Sequence, residues 1–323
     1  MMIGASDIGK IRGSNPWAGP HDVWITKAPV REALELGANE DRQSIVQQRG
    51  TDAEPLIREY AASRLASRGW TVAVPFKEIY MHPTIDVIGA SWDAEILRDG
   101  ELVGPLEIKS LGPFAHKWNG KVPAHIWHQV QQQMSTRPES SLAIVAAVRS
   151  DERTWKAIID GVLTMEVALE YGMAQFEMHE VEKDEAFEED IAPALKEWWD
   201  TYVSTATPPP ADATDGCSSA LLAAYPQRVG ELSMSTDMLE LLRDREALRA
   251  QIKSLEADKK LYDNKIRETL GVSKSMRGDG GSVSISTQST SRLDSAAIRE
   301  NEPAVYEKYL RSSQFDRLTV RLK

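Results

Sequence analysis

The segment GASWDAEILRDGELVGPLEIKS, residues 89–110, contains two strand-like stretches separated by the pair Asp99-Gly100. An Asp-Gly pair between such stretches is a strong β-hairpin signal, because the two-residue turn requires positive φ angles. We therefore predict antiparallel strands at 85–97 and 102–110. This hairpin decides the fold, since the other elements of the sheet must be arranged around it.

The second strand of the hairpin carries two opposite charges, Glu107 and Lys109, on either side of the apolar Ile108. Residues i and i+2 of a strand share a face, so the two charged side chains project together. Two interpretations are open at this point. The pair is either solvated on an edge strand or directed into a functional site. The hairpin brings Asp93 close to Glu107, which favours a site.

A carboxylate pair beside a lysine suits phosphodiester hydrolysis. Carboxylates bind hard ions such as Mg²⁺ or Mn²⁺, which polarise a scissile phosphate and lower the pKa of a bound water. A neighbouring lysine can orient that water or stabilise charge on the phosphate. Glu54 is the candidate for a third acid, because the helix predicted over 45–68 is adjacent to the hairpin in the chain.

The pattern of the remaining segments predicts an α+β core with a mixed sheet. Helical and strand-like segments are interleaved, and Pro75 limits the start of one strand to an edge or a bulge. The predicted helices cover 6–14, 20–28, 45–68, 124–136 and an acidic surface segment that ends near 202. The predicted strands cover 71–81, 85–97, 102–110, 141–148, 154–160 and 175–182.

A proline-rich segment, TATPPPADATDG at 205–216, predicts a linker between a domain at 1–204 and an accessory domain at 217–323. Heptad spacing follows the linker and leaves two alternatives, a coiled coil or a long helix packed in cis. The heptad positions are Leu241, Leu248, Leu255 and Tyr262, with Met238, Ile252 and Ile266 in the second seam, which Arg245 and Lys259 interrupt. The basic tail predicts a small α+β unit, with a helix over 295–310 between strands at 282–287 and 317–323.

The composition excludes several kinds of site and location. One cysteine, Cys217, in 323 residues excludes an internal disulfide framework and a four-cysteine metal site. The six histidines lack metal-binding spacing, which favours carboxylate ligands. The apolar runs are shorter than the roughly 18 residues that cross a bilayer, and a signal-peptide layout is absent, so a cytoplasmic location is expected. The net charge of −11 argues against a protein that coats nucleic acid, although segregated charge still permits a nuclease.

An ordered series of motifs resembles the phage lambda exonuclease/YqaJ-type viral recombination nucleases of the PD-(D/E)XK superfamily. Any one motif is weak evidence, but the series in this order is specific. The motifs are IGASDIG, RGTDAEPLIREY, GASWDAEI, GPLEIKS and VPAHIWHQVQQQMST, and the resemblance covers about residues 3–203. It implies a restriction-endonuclease-like mixed sheet flanked by helices, with the long helix and tail as a C-terminal appendage.

The resemblance also implies roles for individual residues. Glu54, Asp93 and Glu107 match the metal-binding acids, with the Ile108 carbonyl as a further ligand. Lys109 matches the catalytic lysine, and Gln129 the glutamine beside the metal site. Ser6 and Asp7 match an element that lies near the DNA end. Trp92 stands where the family usually has proline.

The implied activity is Mg²⁺-dependent (or Mn²⁺-dependent) degradation of one strand of linear double-stranded DNA, in the 5′→3′ direction. A single-strand annealing protein is the usual partner, a ring-shaped oligomer is common, and the genes belong to phages or prophages. The family often has an arginine before the Gly4-Ala5-Ser6-Asp7 element that grips a 5′-phosphate. Three residues precede Gly4, so Lys10, Arg12 or Arg49 are the candidates for that role.

Other interpretations stay open. The chain is alternatively a nuclease of another polarity, an endonuclease, or a DNA-binding or partner-docking module with a vestigial nuclease fold. The intact acids and lysine disfavour the module. Each site residue taken alone is compatible with a solvated surface position. For the histidines around 124–136, His116, His125 and His128, we expect hydrogen-bonding or DNA-proximal roles, and for Trp118 and Trp127 burial rather than stacking on bases.

Overall fold

The computed structural model describes residues 2–36, 45–115, 118, 120–226, 230–311 and 319–320. They form two compact units, Met1–Pro226 and Gln227–Lys323. In the described part of the chain, every helix is too short or too polar to cross a bilayer.

Within its described residues, the first unit contains seven strands and nine α-helices. The strands are β1 (Trp70–Ala73), β2 (Tyr80–Met81), β3 (Gly89–Ala90), β4 (Ala94–Arg98), β5 (Glu101–Leu111), β6 (Leu142–Ser150) and β7 (Ala174–Glu182). The helices are α1 (Ala5–Ile11), α2 (Pro20–Thr26), α3 (Ala28–Ala33), α4 (Ile45–Ala66), α5 (Ala124–Ser135), α6 (Glu152–Ile159), α7 (Met165–Glu170), α8 (Ala192–Trp198) and α9 (Asp215–Ala224). Two π-helical segments, Phe187–Ile191 and Trp199–Val203, flank α8.

Five of these strands form one sheet in the order β1-β4-β5-β6-β7. The pair β5–β6 is parallel and the other neighbours are antiparallel. A parallel pair needs a long crossover connection, and α5 lies in that connection. The predicted α+β class with a mixed sheet flanked by helices is therefore confirmed.

The predicted hairpin forms as expected. Arg98 pairs with Glu101 across the turn, and Asp99 and Gly100 have φ angles of 54° and 85°. Positive φ at both turn residues is the geometry that an Asp-Gly pair favours. Further along β5, Gly104 has a φ of 157°, and the Leu142 backbone fills the space where a β-carbon would stand.

The two faces of the sheet are covered by different helices. Leu106 and Ile108 of β5 are buried with Ala53, Ile57 and Leu65 of α4. The opposite face packs against α5, whose Ile126, Val130 and Met134 are buried with Val145 and Ala147 of β6. Glu107 and Lys109 alternate with the first set, so they face α5. These charges are on an interior strand rather than on a solvated edge.

Helix α1 crosses α5 closely. A β-carbon at Gly9 would stand 2.8 Å from Cβ of His125, so only glycine permits this approach. The contact places the N-terminal motif beside the helix that covers Glu107 and Lys109.

The strand predicted at 154–160 is wrong, because these residues lie in α6. Asp151 caps this helix by accepting hydrogen bonds of 2.9 Å from the backbone N–H groups of Arg153 and Thr154. Trp155 and Ile158 are three residues apart and both buried, which is helical spacing. Two other predicted strands are interrupted: 71–81 contains β1 and β2, and 85–97 contains β3 and β4.

The acidic segment before 202 is helical over 187–203, but it is more than a surface feature. Phe187, Leu195 and Trp199 are buried in a core with Trp24 of α2. Its acidic residues occupy the solvent side, while the apolar positions attach the segment to the N-terminal helices.

The first unit extends beyond the predicted linker. Helix α9 follows residues 205–216 and packs on α2, with Ala220 and Ala224 in the core that contains Trp24. Cys217 is therefore a buried helix residue of the first unit. The proline run lies between two helical segments, but it does not end the compact unit.

The second unit contains α10 (Thr236–Leu270), β8 (Ser275–Gly278), β9 (Gly281–Ser284), α11 (Ser295–Asn301) and α12 (Pro303–Tyr309). Helix α10 is continuous over 35 residues. Its seven heptad positions are 41–66% exposed, so described residues leave both seams largely uncovered. Strands β8 and β9 form an antiparallel pair. The strand predicted at 317–323 lies outside the described residues except for Thr319 and Val320.

Candidate active site on the central strand

Glu107, which is buried, and Lys109, which is partly buried, form an ion pair on β5. The Lys109 Nζ atom donates a hydrogen bond of 2.5 Å to Oε1 of Glu107, whose residue is 2% exposed. The same Nζ atom donates a bond of 3.0 Å to Oε1 of Gln129 on α5. The lysine is therefore held between a carboxylate and a side-chain amide.

Two glutamines of α5 complete the hydrogen bonds of Glu107. Gln129 donates a bond of 2.7 Å to Oε1 of the carboxylate, and Gln133 donates one of 2.6 Å to Oε2. Gln133 also donates to the carbonyl of Ser91, at 3.1 Å. Helix α5 thus fixes both oxygens of the central carboxylate and contacts the loop before Asp93.

Asp93 lies immediately before β4, next to Glu107. Its Oδ2 atom accepts a hydrogen bond of 2.8 Å from the backbone N–H of Ile108. Burial, followed by the negative charge of Glu107, raises the pKa of Asp93 well above its ordinary value, although the bond from Ile108 opposes the rise. Two carboxylates so close together disfavour each other's ionised form unless a cation lies between them.

Glu54 approaches from the other side, on α4. Burial raises its pKa, the charge of Arg58 opposes this, and the charge of Glu107 adds to it. Arg58 lies 3.6 Å from the Glu54 carboxylate and donates a bond of 3.3 Å to the Asp93 carbonyl. Glu54, Asp93 and Glu107 therefore belong to one electrostatic cluster.

The three carboxylates suit a hard divalent ion by their chemistry. Their oxygens do not all lie within 4.8 Å of one another in the described residues. Oxygens of Glu107 and Asp93 instead accept hydrogen bonds from Lys109, Gln129 and the Ile108 N–H. The role of the Ile108 carbonyl as a further ligand stays a prediction.

Lys109 is an ammonium ion in this setting. Burial by itself would lower the pKa of Lys109, but the charges of Glu107 and Asp93 and the bond to Glu107 outweigh burial and raise it. At neutral pH the side chain therefore supplies a positive charge and hydrogen-bond donors.

Some of the residues predicted to contact DNA are exposed, and others form bonds within the fold. Ser6 and Arg12 are exposed on and after α1. Asp7 is instead engaged within the fold, since its Oδ2 atom lies 2.6 Å from Nζ of Lys27 and accepts a bond from the Gly4 N–H at 3.1 Å. Lys10 is partly exposed, 3.9 Å from Asp7.

Arg49 is buried and has little exposure to solvent. It is 8% exposed, forms an ion pair with Glu152 of α6 and donates to the Ser110 carbonyl at 3.4 Å. Because Ser110 follows Lys109, Arg49 supports the end of β5 that carries Lys109. Its geometry favours positioning of β5 over direct contact with a DNA end.

Sequence reasoning missed the role of the other α5 residues. Gln132 donates to the carbonyls of Ile3 and Gly89, both at 2.9 Å, and Gln131 donates to that of Glu182 at 2.7 Å. The glutamine run therefore connects α5 to separate parts of the fold. The sequence around these glutamines does not indicate that they are buried or which groups they bind, because all of their partners are distant in the chain.

The histidines and tryptophans near α5 lie in different environments. His128 hydrogen-bonds the Ser14 side chain at 2.9 Å. The pKa of His125 is lowered by burial and then by the charge of Lys109, which places His125 near the site. Trp118 is buried and Trp127 is partly buried. His116 lies outside the described residues.

Comparisons with known proteins find similar sequences. Residues 1–138 match the model of the YqaJ-like viral recombinase domain. Over 330 aligned residues the chain is 22% identical to the protein YqaJ of Bacillus subtilis (strain 168), with 99% of this chain and 91% of that protein covered.

Two solved exonuclease structures are also similar. The alkaline exonuclease LHK-Exo from Laribacter hongkongensis is 20% identical, with 62% of this chain and 87% of that chain covered and a TM-score of 0.41. A phage-related exonuclease from Haemophilus somnus 129PT is 15% identical, with 64% and 96% covered and a TM-score of 0.39. LHK-Exo has also been solved in complex with dAMP.

Proposed function

We propose that this chain, whose residues 1–138 match the YqaJ-like viral recombinase domain, is a metal-dependent DNA exonuclease with its active site on β5. The observation that carries the proposal is the position of Lys109 Nζ, 2.5 Å from Glu107 and 3.0 Å from Gln129. An ammonium held against a buried carboxylate, with its own side chain partly buried, is costly to maintain for stability alone. It is useful where a phosphate and a water must be held together.

The ion we propose is Mg²⁺, or Mn²⁺, held by Glu54, Asp93, Glu107 and the Ile108 carbonyl. All four donors are oxygens, which these hard ions prefer. When bound, such an ion polarises the phosphate and lowers the pKa of a coordinated water. The raised pKa values of Asp93 and Glu54 support the assignment, because a cation would relieve the repulsion that contributes to them.

The protein residues then have distinct tasks. The Lys109 ammonium donates hydrogen bonds to the attacking water or to the phosphate oxygens and offsets the negative charge that develops there. Gln129 holds this ammonium in place and bonds to the same Glu107 oxygen. Gln133 fixes the other oxygen of Glu107, so the carboxylate keeps one orientation during the reaction.

The substrate we propose is linear double-stranded DNA, degraded along one strand in the 5′→3′ direction. Arg12 supports recognition of a strand end, because it is exposed and its charge acts on His128 of α5, the helix that bears Gln129. Basic side chains at such a position bind backbone phosphates. The remaining single strand would be the substrate of an annealing protein.

The test is degradation of a linear duplex labelled separately at its 5′ and 3′ ends, with Mg²⁺ and with EDTA. We expect loss of the 5′ label first, only with the metal. Lys109→Ala should reduce the rate by about 10² to 10³-fold, as removal of a donor to a developing anion does. Lys156→Ala is the matched control, because that lysine is exposed and pairs only with Asp160 in the described residues.

Other outcomes would replace parts of the proposal. Release of the 3′ label first would reverse the polarity. Cleavage of closed circular DNA would indicate an endonuclease. Binding of the duplex without cleavage under Mg²⁺ or Mn²⁺ would indicate a binding module and contradict the enzymatic proposal. For the partner, addition of a single-strand annealing protein should capture the product strand as it forms, which a strand-annealing assay measures.

A further inference from the structure

The N-terminal ends of α2 and α9 pack closely against each other. Both helices are distant from β5 in the sequence. The Asp212 carboxylate, just before α9, fills the space that a β-carbon at Gly19 would need. In the same way, the Asp22 carboxylate of α2 fills the space at Gly216. The two glycines leave room for these carboxylates, and the junction brings together side chains separated by about 190 positions in the chain.

Three side chains with metal-binding atoms meet at this junction. One ligand atom from each of His21, Asp212 and Cys217 lies within 4.8 Å of the other two. His21 is 1% exposed and Cys217 is 2% exposed, while Asp212 is exposed. The cluster therefore has two ligands inside the fold and one at the surface, from which an ion can enter.

The buried histidine has an unmet hydrogen-bonding atom. Its Nδ1 atom is buried and has no hydrogen-bond partner among the described residues. Buried polar groups are nearly always paired, and an unpaired one requires an explanation such as a water or an ion. The neighbouring Trp24 ring, 6.0 Å away in an edge arrangement, offers no acceptor.

The donor set indicates the class of ion. Imidazole nitrogen and thiolate sulfur with one carboxylate are ligands for Zn²⁺ and similar borderline ions, whereas Mg²⁺ takes oxygen. Three protein ligands also leave a fourth tetrahedral position for water. The geometry points to a Zn²⁺-class site formed by His21, Asp212 and Cys217 that fastens α9 to α2, independent of the ion on β5.

Cobalt titration of the full chain tests this site directly. The protein is first treated with a chelator and then held in excess Mg²⁺, so that the β5 carboxylates are occupied. Cys217 is the only cysteine in the chain. A thiolate-to-cobalt charge-transfer band can therefore arise only from this residue. We expect the band to saturate at one Co²⁺ per chain and to disappear when Zn²⁺ is added.

Variants separate this site from the nuclease site. Cys217→Ser should abolish the band, and His21→Gln should weaken Co²⁺ binding. Glu107→Gln, which alters only the β5 cluster, should retain both the charge-transfer band and the affinity for Co²⁺. Asp215→Asn is the matched control for Asp212→Asn, because Asp215 is a neighbouring exposed acid outside the cluster.

Thermal unfolding gives a second readout that does not depend on folding of the variants. Zn²⁺ at 100-fold above its Kd should raise the Tm of the wild-type protein by roughly 5 to 10 °C, since only the folded state holds the three ligands together. Absence of the charge-transfer band in the wild-type protein would overturn the proposal. Equal Zn²⁺ affinity of wild type and Cys217→Ser would overturn it as well.

Discussion

Gln133 donates a hydrogen bond of 2.6 Å to Oε2 of Glu107, and both residues are buried. The bond joins α5 to the central strand at a carboxylate whose other oxygen is shared by Lys109 and Gln129. A carboxylate fixed by several donors keeps its orientation, which a metal ligand requires. Gln133 is therefore a positioning residue for the proposed site.

Replacement of Gln133 by leucine should lower nuclease activity by about 10 to 100-fold, the usual effect of removing a group that orients a metal ligand. The Mg²⁺ concentration for half-maximal rate should rise as well, because Glu107 would lose a fixed oxygen. Gln131→Leu is the matched control. Gln131 is equally buried on α5, but it bonds to the Glu182 carbonyl and the Asp184 N–H instead of the site. Equal losses in both variants would assign Gln133 a purely structural role.

Gln129→Leu should affect the rate differently. This substitution removes the acceptor that holds Lys109 Nζ and the donor to Glu107 Oε1. We expect a fall in kcat of about tenfold, smaller than that of Lys109→Ala because the ammonium itself remains. Single-turnover measurements with saturating Mg²⁺ would test this order. A loss in Gln129→Leu larger than that in Lys109→Ala would contradict the assigned roles.

The shared face of Glu107 and Lys109 was predictable because its signals are local. The Asp99-Gly100 turn fixes the hairpin, and the two-residue period then places Glu107 and Lys109 on one face. Helix α6 was mispredicted because the short apolar run at 154–160 fits either period, and the capping signal of Asp151 was overlooked.

Other features have no local signal at all. The bond from Gln133 depends on a strand about 26 residues away, and the His21–Asp212–Cys217 cluster depends on helices at opposite ends of the first unit. Spacing rules for metal sites apply to neighbouring residues, so they exclude only sites formed within a short segment. Contacts of this kind emerge only when the chain is folded.

The raised pKa of Asp93 implies that stability depends on pH when no metal is bound. A carboxyl whose folded pKa exceeds its unfolded value binds more protons in the folded state, so stability falls as pH rises between the two values. The unfolded value is near 3.8, and the folded value lies well above it. We expect the Tm in EDTA to fall from about pH 4 upwards and to recover when Mg²⁺ is added.

The Asp93→Asn variant should lose less stability than the wild type as the pH rises in EDTA. Asparagine can still accept the bond from the Ile108 N–H, but it carries no charge beside Glu107. The variant should therefore be inactive, yet more stable than the wild type at pH 7 in EDTA. Each kcal/mol gained in the free energy of unfolding should raise the Tm by roughly 2 to 4 °C. Asp86→Asn, at an exposed position, is the control and should leave the pH profile unchanged. A wild-type profile that rises over the same range would contradict the buried position of Asp93.

Arg12 and Arg49 should respond differently to replacement by alanine, because one is exposed and the other is buried. The binding measurements use the Lys109→Ala background, so that the duplex is not degraded. Arg12→Ala should weaken binding at all sequences and reduce the slope of log affinity against log salt by about 1, as loss of one phosphate contact does.

Arg49→Ala should leave that slope unchanged and destabilise the fold by about 1 to 3 kcal/mol, because it removes charged hydrogen bonds to Glu152 and Ser110. Arg64→Ala, at an exposed position on α4, serves as the control for both measurements. A reduced salt slope in Arg49→Ala without loss of stability would instead place Arg49 on the DNA backbone.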